Sequence, residues 1–305
     1  MPTTVSITPG QASKLTQLAE DAVRRAVRSV LETNPTDSDG AQKIIVRGDE
    51  FGAPIEEAVL PVIEKMIRDL STSNKYANEE VPSRYAYPPA YRRRGITEQT
   101  NRLRQLIPGA GFADEKLAEA PLLPGAEGNF AILRWKTVAP TYGEACEKLL
   151  GLIEKQYGKK FKNWLKSKLG PEYLRQSQRS ALKYRLLGEQ QEGYDILVVQ
   201  GQFGLRHAGC SPRRADVRFF GNEFGLGTFG NLCIILTHPE RLSTGEELWI
   251  DFTGDEYSPD AGGGFGSVPC AGFDDGRFRL GGGGAGRASE GCGSSSGFLP
   301  QEIDP

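Results

Sequence analysis

Tyr194-Asp195-Ile196-Leu197-Val198-Val199-Gln200 is a short β-branched and aromatic run that stands where the character of the chain changes. Upstream of it, apolar residues recur at three- and four-residue intervals. Downstream, they come in short runs separated by glycine, proline and aspartate. The run reads as a strand, and residues 216–220, 231–237 and 247–252 read as three more. Asp274-Asp275-Gly276, between Phe273 and Phe278, has the chemistry of a tight hairpin turn. The gaps between these runs are too short for crossover helices, so the sheet is expected to be mainly antiparallel.

Working back from residue 194, the pattern is helical. Thr8, Pro9 and Gln11 form a helix start, followed by Leu15, Leu18, Ala22, Val23, Ala26, Val27, Val30 and Leu31 on one face, and Asn34-Pro35 closes it. A second helix is expected over 54–70, kinked at Pro61. A short one follows over 97–107. Thr141 and Glu144 have capping-box spacing and open a helix that buries Ala145, Leu149, Leu150 and Ile153. Gly170-Pro171 starts a further helix to about Gln191. Residues 82–95 read as an extended linker with a basic end, and 108–128 as a long surface loop. From 262 to 297, 14 of 36 residues are Gly, which reads as a loop-rich, partly mobile tail.

The fold class is therefore α+β: a helical N-terminal part followed by a mainly antiparallel, glycine-rich β C-terminal part. Three regions are expected, 1–95, 96–192 and 193–305. A chain of 305 residues buries a large core without metals or disulfides to staple it. No apolar run approaches the ~20 residues of a membrane span, and the first residues lack the features of a signal peptide. No membrane partner is expected. Five scattered cysteines do not form a disulfide framework, which suggests a reducing, cytoplasmic location.

Charge is segregated. Residues 155–218 carry 14 basic and 5 acidic side chains, whereas 219–305 carry 4 basic and 13 acidic. In the basic block, Lys155, Lys159, Lys160, Lys162, Lys166 and Lys168 alternate with Tyr157, Phe161 and Trp164. Arg175, Arg179, Arg213 and Arg214 extend it. Ammonium and guanidinium groups displace counterions from phosphates while aromatic faces stack on unpaired bases, so this block predicts polyanion, and specifically nucleic-acid, binding. No known nucleic-acid module accompanies it.

The acidic half offers Glu223, His238, Glu240, Asp251 and Asp255. Converging, these would make a hydrolase, either holding Mg²⁺ for phosphodiester cleavage or supplying an acid and a base for a glycosidic bond. That reading requires at least three of them in one pocket. A third reading is self-association through the opposite blocks. Gly225-Leu226-Gly227-Thr228-Phe229-Gly230 has dinucleotide-loop spacing, but such a loop must open a helix and 231–237 reads as a strand. His207 and Cys210 resemble half a zinc site without the second close pair, and Cys210 beside Arg206, Arg213 and Arg214 is a conceivable nucleophile.

Overall fold

The structure is a computed structural model of the chain, and it describes residues 9–34, 36–48, 50, 52, 54, 55, 59, 75–245 and 247–300. The fold is α+β. The chain divides into two compact units, Met1–Thr72 and Ser73–Pro305.

In the first unit, α1 (Pro9–Thr33) spans the expected first helix and α2 (Ser38–Val46) follows. Asp37 caps α2 by accepting the Gly40 N–H at 2.6 Å. Thr8, and almost all of the helix expected over 54–70, lie outside the described residues. The stripe expected to face inward along α1 is open at both ends, with Leu15, Leu18, Val30 and Leu31 exposed.

The second unit begins, after an irregular stretch, with α3 (Ile96–Leu106), β1 (Gly128–Leu133), the single turn α4 (Trp135–Val138) and α5 (Tyr142–Tyr157). Helix α5 starts as its sequence demands. Thr141 accepts the Glu144 N–H while Glu144 reaches back to the Thr141 N–H, and Ala145, Cys146, Leu149, Leu150 and Ile153 are buried. Then come β2 (Phe161–Asn163), β3 (Leu174–Gln176), α6 (Gln178–Gln190) and β4 (Ile196–Gln202). The helix expected from Gly170-Pro171 begins only at Gln178, capped by Ser177, because 174–176 pair as a strand.

Of the runs expected as strands, 216–220 lies partly and 231–237 wholly within helices. Residues 212–218 form α7 (Pro212–Arg218), with Ser211 as cap and proline in its first turn. After β5 (Glu223–Gly225), residues 228–237 form α8 (Thr228–Thr237), every residue of which is buried. An apolar run buried on all sides has no periodicity to distinguish strand from helix. The remaining elements are β6 (Trp249–Asp251), β7 (Asp255–Tyr257), β8 (Ser267–Asp274), β9 (Arg277–Gly284), β10 (Cys292–Ser294) and β11 (Ser296–Phe298).

The strands make two sheets. The first, in order β1-β4-β11-β5, is antiparallel throughout. Helix α8 packs on β1 and α5, bringing Leu232, Ile234, Ile235 and Leu236 into the core with Phe130, Ile132, Leu149 and Ile153. Each such side chain contributes roughly 1.5–3 kcal/mol of burial. The second sheet runs β10-β6-β8-β7-β3, with β9 paired along β8 and β2 beyond β9. The hairpin β8–β9 turns on Asp275 and Gly276, both at positive φ (48° and 70°), as the Asp-Gly pair requires. The glycine-rich stretch is thus ordered strand rather than a tail. Strands β1, β2 and β3 pair with β4, β9 and β7 across residue 192.

Candidate functional site

Strand alternation gives the second sheet two faces. Ile250, Ala271, Phe273, Phe278 and Leu280 point into the core. Their neighbours point to the opposite face, which is covered at Ser294 and Asp251 and open at Trp164, and the register aligns them in two rows. Cys292, Trp249, Gly272, Arg279 and Lys162 lie across the strands in one, and Ser294, Asp251, Cys270, Gly281 and Trp164 in the next. Both tryptophans lie on glycines. A Cβ at Gly272 would collide with three atoms of the Trp249 indole, and one at Gly281 would stand 3.0 Å from Trp164 Cε3. Trp164 stays 50% exposed, with the Arg279 guanidinium 5.3 Å from its ring centre. Beyond it Gly283 leaves the sheet backbone open, with nothing within 4 Å of its missing side chain.

The basic block divides by residue type. Lys155, Lys159, Lys160, Lys162 and Lys166 are exposed, and none makes an ion pair among the described residues. Lys166 acts on Glu147 through space, drawing down a carboxyl that burial raises. Lys168 donates to the Pro259 carbonyl at 2.7 Å. The arginines are occupied. Arg175 pairs with Glu256 at 2.6 Å, and Arg179 donates to the Phe220 carbonyl at 2.7 Å and lies 3.7 Å from Asp216. Arg213 pairs with Glu79, and Arg214 with Glu80. These two ion pairs tie α7 to residues 79 and 80.

The five acidic-half candidates enter four different networks. Glu223 is fully buried, accepts from Ser296 Oγ at 2.6 Å and from the Phe220 N–H, and meets His207 Nε2 at 2.9 Å, with Arg206 at 3.3 Å. Burial pushes its carboxyl up, but the hydrogen bonds from His207 and Ser296 outweigh it and hold the pKa below the ordinary value. His238 accepts the Arg94 N–H on Nε2 at 3.1 Å and faces the Ile234 carbonyl with Nδ1 at 3.2 Å. Burial lowers its pKa to about 4, so it is a neutral ring stapling α8 to residue 94. Glu240 accepts from Arg94 Nη2 at 3.0 Å. Asp251 lies on the outer sheet face beside Cys270 and Ser294, and burial pushes it up to about 7. Asp255 accepts the Thr228 N–H at 2.6 Å and the Tyr142 hydroxyl at 2.9 Å, and burial pushes it up to about 6. Among the described residues, no three His, Cys, Asp or Glu side chains are placed to hold a metal ion.

The glycine loop at 225–230 does follow a strand and open a helix, contrary to the sequence expectation. Its anion position is filled from within, by the Asp255 carboxylate on the Thr228 N–H. Cys210 is buried and its thiol is raised by that burial, against the Arg218 guanidinium 3.2 Å away, so it is no activated nucleophile. No family model matches the chain, and no curated protein or solved structure is significantly similar to it. Any function must therefore be argued from these side chains. Trp249, Arg279, Gly272 and Gly281 escaped the sequence reading because only the strand register places them beside Trp164. Among the described residues no helix is long and apolar enough to cross a membrane.

Proposed function

We propose that this chain binds single-stranded nucleic acid across the outer face of the second sheet. The observation that carries the reading is the half-exposed Trp164, seated on Gly281, in a stretch of chain where Lys159, Lys160, Lys162 and Lys166 are all exposed and have no ion-pair partners among the described residues. An indole offers a stacking face that tolerates any base, and the lysines follow the phosphates. Sheet faces bearing aromatics are a recurrent way to hold single strands, since only unpaired bases can splay onto them. The charge of Arg279 is balanced by Asp274 at 2.7 Å and by Asp275, so its part is to orient the indole.

The test is fluorescence anisotropy of labelled single-stranded RNA and DNA against the full chain over a range of salt. Four phosphate contacts give a log–log salt slope of roughly −3. Trp164→Ala is expected to weaken binding by on the order of ten-fold at fixed salt, the value of one stacked base. Absence of binding at low salt, or binding indifferent to both salt and Trp164, overturns the reading.

A further inference from the structure

Helix α1 (Pro9–Thr33) is 25 residues long and so spans about 37 Å. At about 100° per residue, Leu15, Ala19, Ala22, Val23, Ala26 and Val30 share one arc of about 100°, the width of a stripe that faces a packing partner. Helices in water owe most of their stability to such packing. Yet none of the described side chains of α1 is buried. Leu15 and Val30, at the two ends of the stripe, stay 48% and 57% exposed.

The charges beside the stripe fall along two edges. Glu20 and Arg24 flank one side, and Lys14, Asp21, Arg25 and Glu32 flank the other. Glu20 with Arg24, and Asp21 with Arg25, have the i, i+4 spacing of ion pairs within a helix. Even so, none of the six makes an ion pair among the described residues. Lys14 reaches only the neutral Gln17, at 3.3 Å.

A second copy of the same helix, run antiparallel, meets every one of these charges. In an antiparallel pair each edge faces the same edge of the other copy, and flanking charges set partner and orientation. A two-fold axis between residues 22 and 23 sets Leu15 opposite Val30, Ala19 opposite Ala26 and Ala22 opposite Val23. The same axis sets Glu20 against Arg24, Asp21 against Arg25 and Lys14 against Glu32, each repeated by the symmetry. The alanines at the middle let the two backbones approach. A parallel pair leaves Lys14 and Glu32 about 27 Å apart along the axis, out of each other's reach.

We infer that α1 is a homodimerisation helix, which pairs antiparallel with α1 of a second copy of this chain through the stripe from Leu15 to Val30. The contact uses neither the sheet face nor the oppositely charged blocks of 155–305, so it stands or falls apart from the proposed nucleic-acid binding.

Light scattering on the full chain over a range of concentrations reads the mass. It is expected to rise with concentration from 33.3 kDa toward twice that value. Ala26→Glu changes an exposed position and places a carboxylate in the stripe beside Glu20 of the second copy. It is expected to hold the mass at that of one chain, with the unfolding of the rest of the chain unchanged. Orientation is read by mixing a Leu15→Cys chain with a Val30→Cys chain under mild oxidation and identifying the joined peptides by mass. Bonds between positions 15 and 30 are expected to dominate over bonds that join like positions. The mass of one chain at every concentration, or a dimer unaffected by Ala26→Glu, overturns the inference. A predominance of bonds joining like positions overturns the antiparallel arrangement and the charge pairing with it.

Discussion

The backbone N–H of Thr228 donates to the Asp255 carboxylate at 2.6 Å, which places an anion from β7 at the first turn of a helix that has no exposed residue. The four unsatisfied N–H groups of a helix start attract negative charge, and in nucleotide-binding loops that charge belongs to a phosphate. Here the chain supplies its own. Gly227 makes the approach possible, since a Cβ there would collide with Asp255 and with the Tyr142 hydroxyl.

Removing this carboxylate is expected to destabilise the fold and to leave an anion-sized vacancy. Asp255→Ala should lose on the order of 1–3 kcal/mol in urea unfolding at pH 8. Formate should restore part of that loss relative to chloride at equal ionic strength, in the variant and not in the wild type. Identical formate responses would show that the helix start is satisfied by other means.

Asp251 predicts a pH dependence of definite sign. Its folded pKa of about 7 is raised from the ordinary 3.8. The protonated carboxyl is the form the fold tolerates, so its contribution is fully present below about pH 4 and is lost as pH rises through about 7. The cost of the buried anion above that range is on the order of 4 kcal/mol. Stability of Asp251→Asn relative to wild type is therefore expected to rise between pH 5 and pH 8. A constant difference across that range would mean that Asp251 does not titrate there.

The two halves of the basic block should respond differently to substitution. Changing Lys159, Lys160, Lys162 and Lys166 to Glu is expected to abolish polyanion binding while leaving stability within about 1 kcal/mol, as for exposed positions. Arg214→Gln is expected to cost on the order of 2–4 kcal/mol, because its side chain is 9% exposed and pairs with Glu80. Parallel anisotropy and urea titrations separate the two effects. Loss of binding in Arg214→Gln without loss of stability would contradict the division.

Two glycines on the same sheet face should differ as sharply. Gly272→Ala puts a methyl into the Trp249 indole and is expected to cost about 1–3 kcal/mol, with a change in tryptophan emission. Gly283→Ala meets nothing within 4 Å and is expected to be neutral within about 0.5 kcal/mol.

The elements legible from the sequence are those whose signals are local. The Thr141–Glu144 capping box, the Asp275-Gly276 turn and the strand through Ile196–Val199 all carry their own geometry. The run 231–237 does not, because α8 is buried on every side and its apolar residues mark no face. Ser211-Pro212 is a local helix-start signal that the reading of 216–220 as a strand passed over. The glycines between 272 and 284 read as a loose tail by composition. For Gly272 and Gly281 the reason lies in Trp249 and Trp164, whose rings need the space. At the candidate site the lysines and Trp164 were legible. The commitment of Arg213 and Arg214 to Glu79 and Glu80 was not, since 134 residues separate each pair.

Strand β11 (Ser296–Phe298) lies between β4 and β5, bonded to both. During synthesis, therefore, the first sheet waits with its middle missing until residue 298 has left the ribosome, and β4 meanwhile presents an open edge to any other extended chain. A message cut short by even a dozen codons before that point would yield a nascent chain that holds most of the core residues and has no way to close over them, a species for chaperones and proteases to handle.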